Sequence, residues 1–587
     1  MDYPFLKTNL QVLAGQKAPI YQWIRQQEPE TAIPKNIRTN RWGALDWEFK
    51  PGLGLFETLP PQKAYESWSA TGCRPNDASL IVGGNLGYGL HFLLEKTADS
   101  HRILLLEPRI EMLRATLGLT DFSSALKQGR LILVPPQQTH LRRTVYQLTL
   151  ACLFGKVLLR SDLPSLQLGP EYDLWTRYSR EALEDMRVEL YTLRNRQDRI
   201  MQNELVNLAR AGKERNLLAL KGQAAGLKAV QLGAGPSLEQ FAPLLAEHPG
   251  RALYVTALQT LPALQRLGLK PHLCLALECD PLLGRIYEKL DRDWARNIPL
   301  IYAVSADPEA IKMYPGPTLP LWTRGGLAAP LLADQDLLME PGGNVSLSML
   351  RFLDWCGADQ VMLVGHDFAW QGTRTHARDH LAAEQTFRFD PKNDWAFKNQ
   401  TDELIYSNPV YLAALRDLEA EIEHLNMPVY NLYGGGLAIQ GSRTLTWDEV
   451  AVQGHLTGQD KNRDCFLKKF QTGPCAPIRF SRPADRSEQI AFLKNLRKRL
   501  KQLFRRREPN AKTIKTIFGQ AFTALEQDPW SKPYLFNDLL NLAGLVQVSP
   551  FFGQEEFMKC MKIVTKMVEK LEEMNRKIAS FMQIQGI

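Results

Sequence analysis

The sequence predicts an α/β protein with two parallel-sheet blocks, a helical connector between them and a helical C-terminal part. Three observations carry this. Short, almost wholly apolar strand candidates alternate with helical patterns, the signature of parallel sheets covered on both faces. A long, charged stretch without proline separates two such blocks. After about residue 489, apolar residues recur at spacings of three and four, as on one face of a helix. A chain of 587 residues has room for about three to five domains, and five segments are expected: 1–65, 66–170, 171–222, 223–455 and 456–587.

The first segment mixes polar helical pattern with the turn signals Pro51-Gly52 and Pro60-Pro61. The first α/β block then opens with a strand at Ser79–Gly83, a glycine-rich turn and a helix through Leu93. Arg102–Glu107 and Arg130–Val134 are its next strands. From Glu171 to about Leu220 the pattern is long, charged and helical. The second block begins at Lys228–Leu232, with further strands at Ala252–Thr256, His272–Leu277, Leu300–Val304 and Gln360–Val364. It closes around Val429–Ile439.

Charge sharpens the picture. The 71 basic and 63 acidic residues leave a net +8, yet Lys494–Arg507 alone holds eight basic residues and no acid. The remainder is neutral on balance, so no nucleic-acid partner is expected. Ile490, Leu493, Leu496, Leu500, Leu503 and Phe504 place the basic window on one face of an amphipathic helix. No apolar run reaches the length of a membrane span, and no secretory signal is visible. The eight cysteines form no CxxC pair, which predicts a reduced, cytoplasmic protein without structural zinc.

Two glycine-rich turns follow predicted strands. In the first, Gly83-Gly84-Asn85-Leu86-Gly87-Tyr88-Gly89, the next strand ends at Glu107, at the spacing of an acid that accepts from a ribose. A turn that merely packs helix against sheet has the same pattern, and both readings stand. The second, Gly233-Ala234-Gly235-Pro236-Ser237, opens a helix whose N-terminus favours an anion. No lysine follows, which argues against a P-loop. Polar clusters recur where later strands end: Glu278-Cys279-Asp280-Pro281, Gly342-Gly343-Asn344-Val345-Ser346 and Gly365-His366-Asp367, with Thr375-His376 and His380 just beyond. In an open α/β sheet, ligands bind beyond the carboxyl ends of the strands, so these clusters converge on one nucleotide-type site. Asp291-Arg292-Asp293 and Asp334-Gln335-Asp336 are the spacing of a divalent-ion pair, but such strings also arise by chance, and no metal is expected.

These motifs, taken in order, resemble the motility accessory factor family of flagellin glycosyltransferases. That family shares its central domain with an archaeal pterin diphosphokinase-like family. The resemblance runs through GAGPSL (Gly233–Leu238), Asp280-Pro281, GGNVSLSML (Gly342–Leu350), GHDFAW (Gly365–Trp370), Thr375-His376 and YNLYGGGLAIQG (Tyr430–Gly441). GGNLGYG with LLLEP (Leu104–Pro108) is similar to that family's first Rossmann-like domain. The motif order is also similar to bacterial sialyltransferases that use CMP-sialic acid.

The resemblance implies two Rossmann-like domains and a CMP-nonulosonate-dependent O-glycosyltransferase. It would move a nonulosonic acid, of pseudaminic or legionaminic type, to Ser/Thr hydroxyls of flagellin and so support filament assembly and motility. The CMP-sugar is then the donor substrate, with no tightly bound cofactor. Donor contacts fall on Gly233, Gly235, Pro236, Ser237, Asp280, Gly343, Asn344, Ser346 and Gly365. After the second strand only Gln259 or Thr256 offers the polar group that relatives place there. His376 is the expected base, with His366 or Asp367 as substitutes, and Asp367 has the further option of orienting a histidine. An ATP-dependent pterin diphosphokinase-like enzyme and a catalytically inactive flagellin-binding chaperone are the alternatives.

Overall fold

The structure, a computed structural model, describes residues 3–27, 34, 36–69, 77–248, 252–384, 387–452, 456, 460–472, 478–481, 487–505, 516, 525, 531–547 and 553–586. The chain divides into two compact units. One comprises Met1–Leu190, Pro509–Phe518 and Leu540–Cys560; the other comprises Tyr191–Glu508, Gly519–Leu539 and Met561–Ile587. The segments 1–65 and 66–170 therefore fall in one unit, and 456–587 is divided between two rather than standing alone. The expected connector is one helix, Glu171–Ala211.

In the first unit, β1 (Ile37–Thr39), β2 (Leu45–Lys50) and β3 (Leu53–Gly54) form a small antiparallel sheet. β4 (Ala78–Val82), β5 (Arg102–Leu106), β6 (Leu131–Val134) and β7 (Val157–Ser161) form a parallel sheet in the order β6-β5-β4-β7. The chain winds outward from β4 and then returns to its other side, as in a Rossmann-like fold.

The second unit is built on nine parallel strands. They are β8 (Lys228–Leu232), β9 (Leu253–Ala257), β10 (Leu273–Ala276), β11 (Leu300–Ala303), β12 (Thr318–Thr323), β13 (Leu338–Met339), β14 (Gln360–Val364), β17 (Val429–Leu432) and β18 (Arg443–Leu445). Between β14 and β17 lies a separate hairpin, β15 (Trp395–Lys398) with β16 (Leu404–Ser407). The sheet order is β13-β12-β11-β10-β9-β8-β14-β17-β18. The chain thus steps from β8 to β13 in one direction and then crosses back to lay β14 on the free side of β8.

Strand alternation sends side chains to two cores. Ala229, Leu253, Val255, Val361 and Leu363 meet Met349, Leu350, Phe352 and Leu353 of the helix Val345–Cys356. Val230, Leu232, Tyr254, Met362 and Val364 meet Leu238, Phe241, Ala242 and Leu245 of the helix Leu238–Ala246. Each fully buried aliphatic side chain contributes on the order of 1.5–3 kcal/mol, so register is firmly set on both faces. The helix Val345–Cys356 stops at Gly357, whose φ of 79° suits a left-handed cap.

The basic window lies on the helix Ser487–Arg505, where Leu493, Leu496 and Leu500 are buried. Lys494 pairs with Glu572 at 2.5 Å, whereas Lys498, Arg499 and Lys501 are exposed. Arg506 and Arg507 lie outside the described residues, as do the side chains of Leu503 and Phe504.

Candidate functional site at the switch point of the nine-stranded sheet

The strand order reverses between β8 and β14, and there the carboxyl ends of these two parallel strands run level, Leu232 opposite Val364. The turns that follow lock together. The amide of Gly233 donates to the Val364 carbonyl at 2.7 Å and that of Gly235 to the Gly365 carbonyl at 2.8 Å. A Cβ at Gly233 would run into the Gly365 carbonyl, and one at Gly235 into the Asp367 carboxylate. These glycines are thus required by a close approach of two backbones.

Asp367 receives the Ser237 amide at 2.8 Å and the Ser237 hydroxyl at 2.5 Å. Both carboxylate oxygens are therefore spent on the turn, and Asp367 orients Ser237 rather than a histidine. Ser237 makes no side-chain cap on the helix it precedes. Burial pushes the Asp367 carboxyl up to about 6. The glycines of the YGGG stretch close over this pair, since a Cβ at Gly434 would strike Ser237 and one at Gly436 the Asp367 backbone.

His366 is equally committed. Its Nδ1 lies 3.1 Å from the Val364 carbonyl and its Nε2 3.0 Å from the Gln231 amide nitrogen. Only the neutral ring, with its proton on Nδ1, satisfies both. Burial lowers its pKa to about 4. Gln231 also donates to the Ser346 carbonyl at 2.8 Å, tying β8 to the start of the helix Val345–Cys356.

His376 sits on a loop whose Ala377 amide donates to the Ala234 carbonyl at 2.9 Å. Its ring stacks on His380, with centroids 4.4 Å apart and planes 7° from parallel. Tyr411 makes a T-shaped contact with it, at 6.1 Å and 76°. Nδ1 lies 2.9 Å from the Thr375 hydroxyl. Burial lowers the His376 pKa to about 4, so the ring is neutral near pH 7. Of the three catalytic candidates, His376 alone has a ring nitrogen not engaged with a described residue.

Around these groups lies a cavity of about 240 Å³. Of the predicted residues, Gly233, Gly235, Gln259, Asn344, Ser346, Gly365, His366, Asp367 and His376 line it. Pro236, Ser237, Asp280 and Gly343 are not among its lining residues. Asp280 caps the turn beginning at Pro281 through the Leu282 amide at 3.1 Å and pairs with Arg199 at 2.6 Å. Thr256 is buried and donates to the Leu232 carbonyl at 2.9 Å, which leaves Gln259 as the polar group after β9. The Gln259 Oε1 is buried and has no partner among the described residues, an acceptor for a ligand N–H or O–H. Asn344 caps the helix Val345–Cys356 by accepting from the Leu347 amide at 3.0 Å, and the positive end of that helix dipole faces the cavity.

The site pairs a neutral imidazole with a helix start and an unpaired amide acceptor, a combination suited to moving a proton beside a bound anion. Thr260, Met349, Tyr411 and Gln231 belong to it or brace it without having been expected there. Gln231 had a signal, as a polar residue inside an apolar strand. Tyr411 had only its place behind the helix start Asn408-Pro409.

The Asp-x-Asp strings are caps. Asp291 accepts from the amides of Asp293 and Trp294, and Asp334 accepts from that of Asp336. Among the described residues, no group of three or more His, Cys, Asp or Glu side chains is placed to hold a metal ion. No helix among them is long and apolar enough to cross a membrane.

The first unit's turn is filled from within. Glu107 accepts the Gly84 amide at 2.6 Å, the Arg109 amide at 2.9 Å and the Tyr172 hydroxyl at 2.8 Å. Asp162 accepts the Tyr65 hydroxyl at 2.7 Å and the Ser165 amide at 2.8 Å, and a Cβ on Gly83 would strike it. Of the two readings of this turn, the geometry favours the one in which it packs helix against sheet, with Glu107 as an internal brace.

Fold and site together define an α/β protein whose second unit carries a cavity at the switch point of its sheet. Residues 202–373 match the model of the 6-hydroxymethylpterin diphosphokinase MptE-like family. The whole chain has the fold of the MAf glycosyltransferase from Magnetospirillum magneticum AMB-1, with a TM-score of 0.60 at 15% identity, covering 98% of this chain and 97% of that one. Both similarities agree with the motility accessory factor resemblance carried by the ordered motifs. No curated protein matches the chain.

Proposed function

We propose that this chain is a cytoplasmic glycosyltransferase that moves a nonulosonic acid, of pseudaminic or legionaminic type, from its CMP form to Ser or Thr hydroxyls of flagellin. The observation that carries the reading is the cavity at the β8–β14 switch point, with His376 in its wall and Asn344 at the helix start beside it. The protein that shares the fold, a MAf glycosyltransferase, supports the same reaction class.

In this reading the acceptor oxygen attacks the anomeric carbon of the sugar. The bond from that carbon to the phosphate oxygen breaks, and CMP departs with the electron pair. His376 takes the hydroxyl proton, which requires the neutral ring that burial secures. Negative charge on the bound donor raises the basicity of the ring at the moment it is needed. The helix start at Asn344 faces the departing phosphate, and Gln259 offers its unpaired oxygen to a donor N–H or O–H. The chemistry asks for no divalent ion.

The test is donor-dependent mass gain on purified flagellin, with and without EDTA. His376→Ala is expected to lower transfer at least about 100-fold while still binding CMP. Full modification of flagellin by that variant would remove His376 from the mechanism. The MptE-like match over 202–373 favours a second reading, ATP-dependent pyrophosphoryl transfer to a pterin. Magnesium-dependent ATP consumption with a hydroxymethylpterin, without mass gain on flagellin, would select it.

A further inference from the structure

His380 lines the same cavity and is only 5% exposed, yet the reaction above gives it no part. Its hydrogen bonds fix what it can offer. The Ala382 amide, in the short helix Leu381–Glu384, donates to His380 Nδ1 at 3.2 Å. A ring nitrogen that accepts an N–H carries no proton of its own. Nε2 therefore holds the proton of the neutral ring and is a donor. It bonds no described residue. Buried N–H groups in folded proteins are almost always partnered. We propose that His380 is a ligand-binding residue whose Nε2–H donates to an anionic oxygen of the bound CMP-sugar, either of the phosphate or of the sugar carboxylate.

The surroundings hold the ring to this role. The His380 amide donates to the Ala377 carbonyl at 3.2 Å, and its carbonyl accepts the Ala383 amide at 2.9 Å. The ring stacks on His376. Turning it over, or protonating Nδ1, would break the bond from Ala382. Burial, with His376 alongside, also holds the His380 pKa well below its ordinary value. The stack sets this donor beside the proposed base, at the reacting end of the ligand. In a nonulosonic acid the anomeric carbon carries both the carboxylate and the phosphate ester, so both candidate oxygens belong to that end. Among the described residues that line the cavity there is no lysine or arginine. Anionic oxygens there must be met by neutral N–H groups and by the helix start at Asn344.

This inference rests on the proposed CMP-sugar for its ligand, but its first readout needs no ligand. Histidine labelled with ¹⁵N is introduced into the full chain, and the His380 resonances are identified by their loss in His380→Gln. The wild-type ring is expected to be protonated on Nε2; protonation on Nδ1 would overturn the proposal. Two substitutions then separate a ligand donor from a mere cap. An asparagine oxygen falls near Nδ1 and a glutamine nitrogen near Nε2. His380→Asn thus keeps the acceptor for Ala382 and loses the donor, whereas His380→Gln keeps the donor. If the oxygen is the phosphate's, His380→Asn should weaken CMP binding about 10-fold or more by calorimetry and leave cytidine affinity unchanged. If it is the carboxylate's, CMP affinity should hold while KM for the CMP-sugar rises about 10-fold. His380→Gln should recover most of either loss. A His380→Asn protein that matches the wild type with both CMP and the CMP-sugar would overturn the proposal, as would equal losses in the two variants. Should His380→Asn fail to fold, the wild-type Nε2–H resonance decides, by shifting or not when CMP or the CMP-sugar is added. If the wild type binds neither, the reaction proposed above falls. ATP, the anion of the second reading, then takes their place, and unweakened ATP affinity in His380→Asn would end this inference too.

Discussion

The turn after β4 and the turn after β8 begin from the same parts: a buried parallel strand, closely spaced glycines, and a strand order that reverses beside them. In the first unit, the carboxylates of Glu107 and Asp162 reach into the turn and take the Gly84 amide, the Ser165 amide and two tyrosine hydroxyls. In the second, the carboxylate of Asp367 is pulled to one side to hold Ser237, while Gln259, Asn344 and His376 are left facing a cavity. A glycine-rich turn therefore says that backbones approach closely. Whether a ligand can also approach depends on which side chains arrive from strands and loops far away in sequence.

The sharpest way to break this comparison is to add one carbon to each turn. Gly233→Ala places a methyl against the Gly365 carbonyl, which belongs to the backbone and has no rotamer to escape into. It should cost about 1–3 kcal/mol of stability and weaken CMP binding more than tenfold by calorimetry, about 1.4 kcal/mol in affinity. Gly84→Ala meets its nearest atom, the Thr116 hydroxyl, at 3.1 Å, and should leave CMP affinity unchanged. Equal loss of CMP binding in both variants would mean that the first turn also takes part in the donor site.

The carboxylates come next. Asp367→Asn keeps one acceptor where two are needed, and Glu107→Gln does the same among three donors. Each should lower stability by about 1–3 kcal/mol in its own unit, read by hydrogen exchange of the peptides around each turn. Only Asp367→Asn should also weaken CMP binding.

The smallest expected effect separates the turns by pH. Burial raises Glu107 to about 7, so its contribution to stability is full below the usual carboxylate range and is lost as pH rises through about 7. Burial lowers His366 to about 4, so its contribution is present above about 6.5 and is lost as pH falls through about 4. Glu107→Gln should therefore flatten the alkaline-side fall in protection of the first turn, and His366→Gln the acid-side fall of the second. Exchange profiles that kept their wild-type pH slopes in these variants would place the titrating groups elsewhere.

Much of this was legible in the chain. The strands at Lys228–Leu232 and Gln360–Val364 stand where their apolar runs predicted, because parallel strands buried on both faces read as continuous hydrophobic segments. β12 was not legible, since Pro320 interrupts its run, and neither were the two-residue β13 or the hairpin β15–β16. At the site, Gly233, Gly235, Asn344 and His376 line one cavity, while Ser237 and Asp280 lie outside its lining, tied to Asp367 and Arg199, which are 130 and 81 residues distant. A side chain offered to a ligand and one spent on a distant carboxylate look the same in one dimension.

The insertion of β14 also has a consequence for how the protein is made. Both sheet partners of β14, β8 and β17, lie far from it in sequence, and the cavity takes residues from Leu232 to Ala414. A chain emerging from the ribosome can assemble β8 to β13 while one side of β8 still lacks its neighbour. Until β14 arrives, that edge presents free backbone groups to whatever strand is near, and long-range parallel pairing of this kind is slow. The cavity is then among the last features to form, and the nascent second unit is open to mispairing for as long as it takes to synthesise and dock one five-residue strand.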